Sequence, residues 1–252
     1  GRCRQCQWRD NSHGELGGSD AMNRCRLVFR WVFILLSGLT IFSAQAVYLE
    51  STIYEMPSDK SFISKRIYND SQKQNLYSIG AVKIDKPGPG GENRSAIAEG
   101  ELLFTPLNFS LAPQASEFFK IFYRGPQDDK ERYYRILFRE MPITLFTERN
   151  QGKGGQALPV IAMDTILVVR PRNINLAYTI DEANGTLKNT GNTFFKIIVH
   201  QGCNSTDDEA TMRYVLPGET WRSSELKTKN RKFIVALQKY IPVGQGCFKL
   251  NQ

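Results

Sequence analysis

The sequence predicts an all-β protein, on three observations. Short apolar or alternating runs recur from residue 47 to residue 241, and period-two alternation over a few residues marks a half-buried strand. Turn signals separate the runs: Met56-Pro57-Ser58-Asp59, the Pro/Gly-rich stretch 86–91, Asn184-Gly185, the stretch 189–192 and Pro217-Gly218. Beyond residue 46 no stretch sustains a helical apolar period, so long helices are not expected.

The runs fall at 47–54, 61–68, 76–84, 101–104, 117–123, 132–139, 158–170, 174–180, 185–188, 193–199, 211–216 and 231–241. The clearest block is 101–142, where two apolar runs are bounded by Thr105-Pro106, Gly125-Pro126 and Met141-Pro142, with a charged turn at 127–132 between them. Tyr133-Tyr134-Arg135-Ile136-Leu137-Phe138 is a strand by composition and by alternation. The run 158–170 is longer and follows Gln151-Gly152-Lys153-Gly154-Gly155-Gln156, a flexible loop by composition. So many short strands at this spacing mean sandwiches or barrels, and their division, about seven early and five or six late, fits two immunoglobulin-like sandwiches. The Cys…Trp…Cys core of antibody domains is missing.

Residues 22–46 have the form of a signal peptide: Arg24, Arg26 and Arg30 precede the apolar stretch 31–42, and Ala44-Gln45-Ala46 is a small-residue cleavage signal. The apolar stretch is too short for a transmembrane span, which needs about 20 residues. Residues 1–21 precede the start expected at Met22 and read as an over-extended N-terminus. Cleavage after Ala46 would leave 206 residues, enough for one large domain or two smaller ones, with no membrane anchor. The whole chain carries a formal charge of +8, and the part after Ala46 carries +5. That excess lacks the long Lys/Arg runs of a nucleic-acid binder.

The block 101–142, with its stretch 115–136, ASEFFKIFYRGPQDDKERYYRI, resembles the last strands of the first domain of periplasmic pilus chaperones, the PapD-like family of the chaperone–usher pathway. It is most similar to the common-pilus, or alpha-type, branch. Thr165-Ile166-Leu167-Val168-Val169-Arg170-Pro171-Arg172 resembles the family's first-domain G strand and hinge, 183–199 resembles strands B and C of its second domain, and Leu216-Pro217-Gly218-Glu219-Thr220 its turn. The resemblance implies two immunoglobulin-like domains, 47–172 and 173–252, joined at an angle with a cleft between them. It implies a chaperone, working in the periplasm without catalysis or cofactor, whose partners are pilus subunits and an outer-membrane usher. A secreted immunoglobulin-like adhesin or a pilus structural protein is the alternative.

The mechanism implied is donor-strand complementation. A pilus subunit lacking its last strand exposes an apolar groove and an unpaired edge, and a chaperone lends a strand to both. The lent residues would come from Leu158, Val160, Ile161, Ala162 and Met163. Which parity faces the subunit, Leu158/Val160/Ala162 or Ala157/Ile161/Met163, stays open, because a slip of one residue exchanges the faces. The family also holds the subunit's terminal carboxylate with two basic residues, at positions that align here with Thr52 and Ile166, neither of them basic. Arg172, Arg170 and Arg66 are the candidates in their place, since a guanidinium fork suits a carboxylate. Glu131 and Arg170 match the family's buried interdomain ion pair, which leaves Arg172 as the favoured anchor.

Five cysteines are present, and Cys3, Cys6 and Cys25 precede the expected cleavage site. In an oxidising periplasm the remaining two, Cys203 and Cys247, are expected to form a disulfide, although the resembling branch keeps both cysteines within one loop. His200 beside Cys203 could be argued as a base and nucleophile, but it reads more simply as a loop histidine near a disulfide. Asp207-Asp208-Glu209 reads as a solvated acidic loop, and no familiar catalytic, nucleotide or metal motif is present.

Overall fold

The computed structural model describes residues 48–49, 53–88, 90–143 and 161–247, all within one compact unit, Gln45–Gln252. The first ten strands are β1 (Tyr48–Leu49), β2 (Ile53–Met56), β3 (Phe62–Tyr68), β4 (Asn75–Ile84), β5 (Arg94–Ser95), β6 (Leu102–Thr105), β7 (Asn108–Leu111), β8 (Ser116–Tyr123), β9 (Arg132–Pro142) and β10 (Ile161–Val169). They form two facing sheets, one in the order β1-β3-β8-β6 and one in the order β2-β10-β9-β4-β5, with β7 also on β4. Seven more strands follow: β11 (Tyr178–Asp181), β12 (Thr186–Asn189), β13 (Phe195–His200), β14 (Thr211–Val215), β15 (Thr220–Arg222), β16 (Arg231–Ala236) and β17 (Lys239–Val243). These make the sheets β11-β12-β15 and β14-β13-β16-β17. The described residues are thus two β-sandwiches with no α-helix, as the alternation required.

Each sandwich has its own core. Tyr54, Ile67, Tyr77, Phe119, Ile121, Tyr134, Ile136, Phe138 and Leu167 fill the first, and Leu187, Phe195, Ile197, Val199, Leu226 and Ile234 the second. A third apolar cluster joins the two: Ile84, Tyr133 and Val168 from the first sandwich meet Phe194 and Leu216 from the second. This contact explains why the adjacent residues Tyr133 and Tyr134 are both buried. Tyr134 faces its own core and Tyr133 the neighbouring sandwich.

The predicted run 231–241 is two strands and not one. Leu237 and Gln238 reverse the chain between β16 and β17 with φ of 51° and 62°. Two residues at positive φ form the tight hairpin turn that matches sheet twist, and neither residue type signals it. The short strands β5, β7 and β15 also fell outside the predicted runs.

Candidate functional site

β10 positions the site. It runs antiparallel to β9 along its whole length, from Ile161↔Glu140 to Val169↔Arg132. On its other side β2 pairs with it, in parallel, only from Ile166↔Ile53 to Val169↔Met56. Among the described residues, 161–164 therefore pair with β9 alone, and their second edge is open. The parity is also fixed. Met163, Leu167 and Val169 pack into the first core, while Ala162 and Asp164 are exposed, and Ile166, Val168 and Arg170 face the second sandwich. Of the five residues expected to be lent, Ala162 is outward and Met163 inward; Leu158 and Val160 lie outside the described residues, as does the side chain of Ile161.

Arg170, 3% exposed, lies between the sandwiches. Its Nη1 donates to Thr193 Oγ1 at 2.5 Å and to the Phe194 carbonyl at 3.0 Å, and stands 3.5 Å from Glu131 Oε2. Its Nη2 and Nε donate to Glu55 Oε2 at 2.9 and 3.3 Å. The guanidinium lies 4.0 Å from the centroid of the Phe194 ring. Glu131 is equally enclosed: it accepts from the Tyr133 hydroxyl at 2.7 Å, from the Phe194 amide at 3.0 Å and from the Thr193 hydroxyl. Burial raises the Glu131 pKa, and the Thr193 and Tyr133 hydroxyls and Arg170 oppose this incompletely. Glu131 and Arg170 are therefore in contact with each other at the end of the first sandwich, and both bond to Thr193 and Phe194 of the second. Glu55 and Thr193, which carry no motif, complete the cluster. Such a buried pair orients two bodies better than it stabilises them, because desolvation offsets much of the attraction.

Beside this cluster a cavity of about 400 Å³ opens between the sandwiches, walled by Ile53, Ile166 and Val168 on one side and by Phe194, Met212 and Tyr214 on the other. Ile166 is one of the two positions at which the resembling family carries a basic anchor; the other, Thr52, is outside the described residues. Burial pushes the Tyr214 hydroxyl up, and the charge of Glu55 adds to it.

The other two candidate anchors stand elsewhere. Arg172 lies over the Tyr123 ring, and its Nη1 donates to the Lys60 carbonyl at 3.1 Å and to the Ser58 carbonyl. Arg66 lies over Phe118, 4.1 Å from the ring centroid, on the sheet that contains β3 and β8. Neither residue lines the cavity, and Arg170 lies beside it, against Phe194, without lining it. Further ties brace the two sandwiches: Asp129 accepts from the backbone amide of Asn173 at 3.0 Å, and Asn192 donates to the Asp129 carbonyl at 3.1 Å.

Cys203 and Cys247 form a disulfide with a Cα–Cα separation of 5.4 Å, so Cys203 is no nucleophile. His200 ends β13 and its Nε2 lies 2.6 Å from Asp207 Oδ1, which gives the acidic loop a structural partner. Among the described residues no group of three His, Cys, Asp or Glu side chains could hold a metal ion, and no helix is long and apolar enough to cross a membrane.

No protein-family model matches the chain. It is 39% identical over 204 residues to "Probable fimbrial chaperone EcpE" of Escherichia coli O18:K1:H7, covering 81% of this chain and 86% of the relative. It is 36% identical over 216 residues to "Probable fimbrial chaperone EcpB" of Escherichia coli O157:H7, covering 83% and 96%. Among solved structures, the class 5 fimbriae chaperone CfaA superposes with a TM-score of 0.50 at 19% identity, over 81% of this chain and all of that one, a likeness of fold. With such identity over most of both chains, this chain belongs to the PapD-like family of fimbrial chaperones, in the common-pilus branch represented by EcpE and EcpB.

Proposed function

We propose that the chain captures pilus subunits in the periplasm and hands them to an outer-membrane usher, complementing each subunit with the edge of β10. The capturing domain would be 47–172 and the supporting domain 173–252. The observation that carries this reading is the edge at 161–164, open among the described residues, next to an outward Ala162 and just ahead of the cleft. An open edge is a template for another chain's strand, and strand addition supplies ladder hydrogen bonds while alternate side chains supply specificity. By continued alternation Leu158 and Val160 would share the outward face with Ala162 and enter the subunit's groove. The work is binding, not catalysis. The cleft arginine, Arg170, would take part in subunit capture as well as in bracing the sandwiches.

The test compares Ala162→Asp with Met163→Asp in cells that co-express a pilus subunit. A carboxylate on the lent face must enter an apolar groove unpaired, which is prohibitive. Ala162→Asp should lose more than tenfold in recovered subunit while keeping the wild-type melt. Met163→Asp should lower the melt, because Met163 packs on the core. Normal capture by a folded Ala162→Asp variant would remove donor-strand complementation by this segment.

A further inference from the structure

The apolar character of the outward face of β10 stops at one residue. Between Lys153 and Arg170 the sequence holds a single charged residue, Asp164. It follows Ala162 on the outward face, and its side chain is 49% exposed. It is held in place from β9. Arg135 Nη1 stands 3.1 Å from Asp164 Oδ2, and the same guanidinium donates from Nε to Glu92 Oε2 at 3.0 Å and from Nη2 to Glu92 Oε1. Glu92 belongs to the connection between β4 and β5, which is closed by its amide on the Lys86 carbonyl at 2.8 Å and by Asn93 on the Asp85 carboxylate. A neighbouring strand and a closed turn thus fix a carboxylate on the face that would be lent. It also stands near the end of the edge that is open among the described residues, because β2 joins β10 at Ile166.

We propose that Asp164 is a register stop: it fixes which residue of β10 is the last to enter the groove of a captured subunit, and so fixes the alignment of the two chains. This rests on the reading of the chain as a subunit carrier and names a residue that sets its specificity. Alternation alone leaves the alignment undetermined. A slip of one residue exchanges the faces and is rejected, but a slip of two keeps every side chain on its face and repeats the ladder hydrogen bonds. The end of the open edge does not prevent it, because that end limits how far a paired strand reaches, not which of its residues stands there. The run 157–163 offers no marker either, since every residue in it is apolar. A slip of the groove towards the second sandwich would put residue 164 where Ala162 belongs. The carboxylate would leave water and Arg135 for an apolar groove, which costs far more than exchanging one apolar side chain for another. The stop therefore acts in one direction, and it states what a carried subunit needs: a groove that is apolar where Ala162 enters and reaches solvent at the next same-face place. A charge on an open edge also discourages self-association, but that effect selects no alignment.

The experiment reads the alignment by disulfide trapping. The full chain carries Ala162→Cys and is co-expressed with a pilus subunit that bears one introduced cysteine at a time along the strands flanking its groove. Trapped complexes are mapped as peptides. With Asp164 present, the cysteine at 162 should trap a single subunit position on each flanking strand. Asp164→Ala should give a second product two residues away, making up roughly a third or more of the total, because both alignments then put an alanine in the same place. Asp164→Glu, which keeps the charge, should restore the single product. One unchanged product with Asp164→Ala overturns the proposal, as does a second product with Asp164→Glu, which would make the shape of the side chain and not its charge the determinant. Loss of capture by a folded Asp164→Ala variant also overturns it, because removing a stop adds alignments and takes none away. Each of these outcomes leaves the carrier role standing as long as the cysteine at 162 is trapped in the groove. Captured subunit that the cysteine at 162 never reaches, with any residue at 164, removes the lent strand itself.

Discussion

Glu131 shows at the scale of one residue how the two sandwiches are locked. Its ordinary pKa of 4.5 is raised, because burial penalises the anion more than the Thr193 and Tyr133 hydroxyls and Arg170 favour it. The folded state therefore holds this proton to higher pH than the unfolded state. Between the ordinary value and the raised one the native protein binds more protons, so this group's contribution to stability is full at low pH and falls as pH rises through that window. Each tenfold difference in proton affinity is worth about 1.4 kcal/mol. Glu131→Gln keeps the shape and removes the titration. The stability of the variant relative to wild type, from urea unfolding, should rise steadily from pH 4 towards neutrality. A relative stability that is flat with pH would contradict the raised pKa. Two buried asparagines do comparable work without titrating: Asn69 donates to the Lys73 and Leu111 carbonyls at 2.8 and 3.0 Å, and Asn189 to those of Thr193 and Val215 at 2.8 and 3.0 Å. Each pins one turn of one sandwich to a distant strand.

At the scale of the element, the β16–β17 hairpin is under local strain. A residue with a Cβ at positive φ costs about 1–2 kcal/mol relative to the right-handed region, and Leu237 and Gln238 both sit there. Leu237 recovers part of this by packing on the second core, whereas Gln238 is exposed. Gln238→Gly should therefore stabilise the protein by about 1 kcal/mol, seen as a melting temperature higher by about 2–4 °C in calorimetry. Leu237→Asn should gain less, since it gives up buried apolar surface. An unchanged or lowered melt for Gln238→Gly would mean that the turn is relaxed. β10 shows the opposite economy: one half is enclosed by β2 and β9, and the other, among the described residues, keeps an open edge. The same strand can thus complete its own sheet and extend another chain's.

At the scale of the whole molecule, the disulfide and the hinge secure opposite ends of the second sandwich. Cys203 follows β13 at its His200 end, whereas Phe194, which touches Arg170, precedes the same strand at its other end. The cross-link closes a segment 44 residues long, for which loop entropy gives about 4 kcal/mol and measured effects are more often 2–4 kcal/mol. Replacing Cys203 and Cys247 together by Ser should lower unfolding free energy by about that much, measured by urea denaturation. Subunit capture at room temperature should persist, because the cleft lies at the far end of β13. Loss of capture by a folded double-serine variant would show that the tail acts on the cleft.

The sequence by itself determined the all-β class, since period-two alternation with Pro/Gly turns leaves a chain few other ways to bury its apolar residues. It also carried the family resemblance in 115–136, the candidate pair Glu131 and Arg170, and the two cysteines that pair. It could not settle which face of 157–163 points outward, because both parities there are apolar; among the described residues the packing of Met163 on the first core leaves Ala162 and Asp164 outward. It did not mark the turn at 237–238, because Leu and Gln carry no turn preference and tertiary packing imposes the conformation. It favoured Arg172 as the anchor but said nothing of that side chain's neighbours, since position along a strand does not tell which carbonyls a long side chain will find; in the folded chain Arg172 turns to Ser58 and Lys60. Glu55 was invisible for the same reason. Its contact exists only where β2 runs beside β10 and the second sandwich closes over both, bringing residues 55, 131 and 193 around the guanidinium of Arg170.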